Sequence, residues 1–183
     1  MRKYLWVLAA LLLTSCWKLP RNYGSGPSPS YSKVWGYKPV YGSDSTAKKI
    51  SYLSTPQQMV SQGNIYAFRN YIFQLDPGLG IHVIDNSTPS AAHKIGFITA
   101  RGCSEMSIKN DKLYTNSYDD LVVIDFSNLQ NVHEYSRLKG VFTEYRYASP
   151  ISFPPGNGYY ECPSYDKLVT GWVKDSIYAY CFR

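Results

Sequence analysis

Long apolar runs are what this chain of 183 residues most plainly lacks. The one uninterrupted stretch, Tyr4 to Leu13, is too short for a spanning helix, which needs ~20 residues. Beyond it no segment keeps a long 3.6-residue apolar period, which excludes a helical bundle. Catalytic signatures are missing as well. There is no Gly-x-Ser-x-Gly elbow, no phosphate loop and no dinucleotide fingerprint, and the Gly78 and Gly80 pair lacks the strand–turn–helix context such a fingerprint needs. Histidine is scarce (3 residues), and His82, His93 and His133 are not spaced as metal ligands. His133-Glu134 has no second histidine where a zinc protease requires one. No Asp-x-Asp-x-Asp loop offers the six to eight oxygens that calcium takes. The basic residues (19 Lys and Arg against 13 Asp and Glu) are scattered, so no nucleic-acid stripe is visible. No catalytic residue, metal or cofactor is implied.

What is present begins at the N-terminus. Arg2 and Lys3 precede the apolar run, and Leu13-Thr14-Ser15-Cys16 follows it. This is a secretory signal peptide, and its end resembles a bacterial lipobox. That resemblance implies removal of residues 1–15 and lipidation, including palmitate-type acyl chains, at Cys16. The anchored chain would then sit in the cell envelope. Trp17 is not the aspartate associated with inner-membrane retention, which implies the outer membrane. No acidic surface-export signal follows Cys16, so the periplasmic face is expected ahead of the cell surface.

Four cysteines occur in all. With Cys16 committed to lipid, Cys103, Cys162 and Cys181 remain. Export makes a disulfide permissible. Cys162 with Cys181 is the expected pair, and a loop of that size stabilises by roughly 3 kcal/mol. Cys103 then reads as a small buried hydrophobe, with a reactive thiol as the alternative.

Residues 16–44 read as a flexible tether rich in proline, glycine and serine. Tyr31, Trp35, Tyr37 and Tyr41 suggest that its second half lies along the domain. From residue 45 to 183 the chain reads as all-β. Short strands are expected at Asn64–Phe68, Tyr71–Leu75, Gly80–Asp85 and His93–Ile98. A second set is expected at Met106–Lys109, Lys112–Thr115, Leu121–Phe126 and Val132–Leu138. Turn clusters separate them. The sets form a repeat, about 63–99 and 104–140. Ile81-His82-Val83-Ile84-Asp85 aligns with Leu121-Val122-Val123-Ile124-Asp125 at an offset of 40, and Asn70-Tyr71-Ile72-Phe73 with Asp111-Lys112-Leu113-Tyr114 at 41. One residue is therefore gained or lost in the intervening turn. A period near 40 with four strands is the pattern of a propeller blade.

Those strings resemble the LVIVD repeat of exported bacterial proteins. The longer Gly80-to-Pro89 string, and Tyr160-Glu161-Cys162-Pro163 followed by Val169-Thr170-Gly171-Trp172 and Cys181, are similar to short lipoproteins of Bacteroidetes. The likeness spans Thr55 to Arg183 and implies a propeller-like architecture, but no activity. A closed ring needs at least four blades, and residues 141–183 look irregular. The expectation is therefore two blade-like antiparallel four-stranded sheets packed together as a monomer, with ring completion by association as the alternative.

Asp85 and Asp125 repeat after an apolar strand, which favours turn-capping over chemistry. Asp119-Asp120 reads as a solvated turn. His82 reads as a surface or edge residue opposite Ile81 and Val83. Tyr145, Tyr147, Tyr159 and Tyr160, with Arg146 among them, are candidate ligand-facing aromatics on an irregular loop. Asp44-Ser45-Thr46 and Asp175-Ser176-Ile177 resemble O-glycosylation sites, making Ser45 and Ser176 candidate acceptors. The lipobox and LVIVD resemblances, with no catalytic signature beside them, imply a non-catalytic binding or scaffolding domain whose partner is an envelope protein or a glycan. A surface carbohydrate-binding or adhesion lipoprotein is the alternative, and a small hydrolase the remote one.

Overall fold

The computed structural model describes residues 32–183. The signal peptide, Cys16 and residues 16–31 of the expected tether lie outside the described residues.

Among the described residues, thirteen strands make three sheets. The first repeat supplies β3 (Ile65–Phe68), β4 (Tyr71–Asp76), β5 (Gly80–Asp85) and β6 (His93–Thr99). β2 (Ser51–Leu53) adds a fifth strand beside β6, so this sheet exceeds the expected four. The second repeat supplies β7 (Met106–Lys109), β8 (Lys112–Ser117), β9 (Asp120–Asp125) and β10 (His133–Leu138), a four-stranded antiparallel sheet. Both first hairpins turn on two residues. Asn110 and Asp111 take φ of 50° and 57° between the paired Lys109 and Lys112, and Arg69 takes 53° between Phe68 and Tyr71. Such left-handed turns match strand twist. Arg69 clasps the Asp111 carboxylate with two nitrogens at 2.9 Å, tying the two turns together.

The length difference between repeats falls in the turn after the second strand. Leu75 pairs with Ile81, whereas Asn116 pairs with Leu121. Asp76-Pro77-Gly78-Leu79-Gly80 thus does in the first repeat what Ser117-Tyr118-Asp119-Asp120 does in the second.

The two sheets stack with unlike faces in contact. Phe73, Leu75, Ile81 and Val83 of the first meet Leu113, Val122 and Ile124 of the second in one core. Phe126 closes it, its ring 4.7 Å from Phe73 and 5.7 Å from Phe68. The Tyr52 ring lies directly over Gly96, so a Cβ there would push the tyrosine aside. Cys103 is buried in this core, its thiol pushed up to about 12 by burial, so it is inert as a thiolate source.

The third sheet corrects the expected tether. Val34–Gly42 is the nine-residue β1, paired along its length with β12 (Leu168–Ile177). β11 (Tyr159–Tyr160) runs parallel to β1, and β13 (Cys181–Phe182) borders β11. Segment 141–183 holds a ten-residue strand, after the short helix α2 (Tyr145–Ala148). A second core cluster of Ala47, Tyr118, Ile151 and Leu168 joins this sheet to the turn end of the repeat sheets. Tyr118 is fully buried at φ 51°, and its hydroxyl donates to the Val169 carbonyl at 2.7 Å.

Candidate functional site

Among the described residues, four clefts and one buried dyad concentrate the polar and aromatic side chains, one of the clefts, of about 330 Å³, lying around Arg69 and Asp111. The largest cleft, about 720 Å³, lies where α1 (Asp44–Ala47), β10 and α2 converge on the Asp119-Asp120 turn. Ser43 caps α1 and delivers Lys48 to the turn. Lys48 bonds Asp119 and, at 3.1 Å, Asp120. Arg137 reaches Asp120 at 2.9 Å and also pairs with Glu134. Arg146 bridges Asp44 and Asp119, both at 3.1 Å. Asp119 and Asp120 are 6% and 2% exposed, so the expected solvated turn is a buried ion-pair hub instead. The reason is that partners 71 and 27 residues away in the chain converge on it.

Burial works against the Asp120 carboxylate, but the Gly140 N–H, Arg137 and Lys48 outweigh it and hold its pKa below the usual range. Burial likewise opposes the Lys48 ammonium, and its two aspartates raise it regardless. The Arg146 guanidinium holds Asp44 low. Each acid here faces a fixed base, so the hub joins three parts of the chain rather than presenting a free acid or base.

His82 is fully buried, contrary to the edge position expected. Its Nε2 lies 3.3 Å from Asp76, and its Nδ1 has no partner. Asp76 also accepts the Val60 and Ser61 N–H groups at 2.8 and 2.9 Å. Residues 54–62 therefore strap this face of the sheet, with Lys94 bonding the Gln57 carbonyl. Burial pushes the His82 imidazole below its ordinary pKa. With no exposed surface, the dyad has no access to substrate. His93 and His133 set Nδ1 against the Ala91 and Asn131 carbonyls, the same local role in each repeat. Asp85 and Asp125 accept the N–H of Ser87 and Ser127 at 2.8 and 2.9 Å, a turn-capping geometry. Among the described residues, no group of three or more His, Cys, Asp and Glu could hold a metal ion, and no helix is long and apolar enough to cross a membrane.

The second cleft, about 240 Å³, is aromatic. Tyr147, Phe153, Tyr160 and Tyr165 line it, with Ser164 and Lys167 among its polar groups. The Cys162–Cys181 disulfide forms part of its wall. Tyr160 is steadied edge-on by Trp172 at 5.7 Å, and Tyr147 by Arg146 stacked over its ring. Tyr165 projects into solvent, 86% exposed. Of the four candidate aromatics, only Tyr147 and Tyr160 meet here. Tyr159, the neighbour of Tyr160 on one strand, points to the other face and packs on Phe182 at 5.2 Å. Tyr145 lines a third cleft of about 310 Å³ with Tyr114, Leu121 and Phe142, on the outer face of the second sheet. Phe153 and Tyr165 were not singled out from sequence, because isolated aromatics in a Pro-Gly-Ser loop carry no periodic signal. Ser45 is exposed at the rim of the charged cleft, and Ser176 is exposed on β12.

No protein-family model, no curated protein and no solved structure matches this chain.

Proposed function

We propose that this is a lipid-anchored outer-membrane protein whose β domain is a non-catalytic binding module, held on the periplasmic face by lipid on Cys16. One observation carries the binding role. A disulfide-walled cleft presents four aromatic rings, while every acid lining the largest cleft is engaged by a lysine or arginine. Aromatic faces with hydroxyls at hand suit the alternating C–H and O–H surface of a sugar ring, which favours a glycan over an acidic or basic peptide. The stacking of unlike sheet faces, as consecutive propeller blades stack, supports the likeness to LVIVD repeats and a two-blade, propeller-like body.

The test is binding of the full chain, in detergent, to a panel of neutral hexose and N-acetylhexosamine oligomers. At least one oligomer should bind. Tyr160→Ala or Tyr165→Ala should weaken it about tenfold, the equivalent of ~1.4 kcal/mol. A chain that binds none of the panel, or variants that bind unchanged, would remove the glycan reading. The envelope face is tested separately by proteinase treatment of intact cells. A domain that survives until the outer membrane is opened is periplasmic, and one shaved from intact cells faces outward.

A further inference from the structure

Where β1 begins, the third sheet turns a basic and aromatic face to solvent. Val34 pairs with Ile177, Trp35 with Ser176 and Tyr37 with Lys174. Residues opposite one another in an antiparallel pair share a face, and alternate residues return to it. Lys33, Trp35 and Tyr37 therefore share one face with Lys174, Ser176 and Tyr178. Two contacts agree with that placement. The Lys33 ammonium lies 5.6 Å from the centre of the Tyr178 ring, and the Lys174 ammonium 5.5 Å from that of Tyr37. Trp35 stands between these pairs, 69% exposed, and Tyr178 is 49% exposed. No carboxylate belongs to this face of either strand. β1 has no acid, and Asp175, the one acid of β12, projects from the other side. The sequence around it is as one-sided. From Cys16 to Ser43 it holds Lys18, Arg21, Lys33 and Lys38 and no acid, Asp44 being the first acidic residue of the chain.

We propose that this face rests on the bilayer that carries the lipid on Cys16. Trp35 and Tyr178 sit at headgroup level, and Lys33 and Lys174 lie against anionic phospholipid headgroups. The contact presupposes the anchor proposed above. Given the anchor, position selects the occupant. Lys33 follows Cys16 by 17 residues, so the start of β1 is where an anchored chain enters the domain. Tethering makes the meeting of this end with the membrane intramolecular, and weak contacts then suffice to hold it. Composition selects the same occupant. Trp and Tyr are favoured at membrane–water interfaces, where the ring is dry and its polar edge wet. Lysine stems lie along such rings while the ammonium reaches the headgroups. A leaflet of anionic lipid attracts basic residues beside an anchor, and this face offers it no acid to repel.

The lipidated full chain, carrying a solvent-sensitive fluorophore at Ser176→Cys, tests this in vesicles of phosphatidylcholine and phosphatidylglycerol. Thiol labelling is selective, because Cys16 is acylated under this reading, Cys103 is buried and Cys162 is joined to Cys181. The label should shift to apolar emission and be quenched by bromine-bearing lipid. The same label at Ser90→Cys, exposed at the far end of the first repeat sheet, should do neither. Lys33→Glu combined with Lys174→Glu should abolish the shift at Ser176, while the chain still floats with the vesicles and melts at an unchanged temperature. Raised salt should weaken the shift, because it screens exposed charges. A chain that floats with the vesicles while its Ser176 label stays in water overturns the contact and leaves the anchor standing. A chain that does not float overturns the anchor, and the contact with it. A label that responds to a soluble acidic oligosaccharide and not to vesicles gives the face to a glycan and overturns the contact too.

Discussion

The two repeat sheets share the lengths of their first three strands, their first hairpin turns and a repeated histidine and aspartate, yet they treat the same surface in opposite ways. In the first, the face carrying Phe73 and Val83 is the centre of the core. In the second, the face carrying Tyr114 and Val123 looks outward. The reverse holds on the other side, where His82 lies under a strap and its counterpart Val122 lies in the core. A repeat specifies the path of the strands. What each face does is decided by what the rest of the chain lays upon it.

The sharpest test of that contrast is one charge placed at equivalent positions. Val83→Asp buries an unpaired carboxylate in the core and should cost more than ~4 kcal/mol, enough to unfold a marginal domain. Val123→Asp, on the half-open face, should cost under ~1 kcal/mol. Urea titration of both variants measures the difference, and equal losses would break the comparison.

The turns after β4 and β8 should differ next. Asp120→Ala takes from Lys48 and Arg137 one of the carboxylates that each holds in a buried hub, and breaking such a pair costs up to ~3–5 kcal/mol. Asp76→Ala leaves two N–H groups of the strap without their acceptor, a loss of ~1–3 kcal/mol. Urea midpoints should fall in that order, and the reverse order would show that the strap matters more than the hub.

The smallest effect is in pH. His82 has its folded pKa depressed by burial. Its contribution is therefore present above the unfolded value of about 6.5 and lost as pH falls below it, by at most ~1.4 kcal/mol per pH unit. Asp120 and Asp44 are also depressed, so their contributions vanish later, as pH falls from about 4. His82→Val, which makes the first repeat like the second, should flatten the stability profile between pH 6.5 and 5. An unchanged slope in that window would assign it to other groups.

The repeat strands were legible because alternating apolar residues and Asn-Asp, Asp-Pro-Gly and Ser-Asn turns are local signals. All eight expected strands appear, with ends displaced by at most two residues. β1 was not legible. Val34–Gly42 contains a proline and two glycines, and its partner β12 lies more than a hundred residues away, so nothing nearby in sequence announces the pairing. His82 was assigned the correct side of its strand, opposite Ile81 and Val83, but that side was taken to be open. The strap that closes it is a polar segment with no period. Asp119 and Asp120 read as solvated for the same reason, since Lys48 and Arg146 reach them only through the fold. At the aromatic cleft, sequence supplied Tyr147 and Tyr160, and only the fold could separate them from Tyr145 and Tyr159.

Anchoring through Cys16 is the premise of the envelope role and of everything the β domain would do there. Cells fed an alkyne-bearing palmitate analogue, and carrying either the native chain or Cys16→Ala, test it most directly. The native chain should incorporate the label and partition with the membranes, and Cys16→Ala should do neither. A native chain that stays unlabelled and soluble would contradict it.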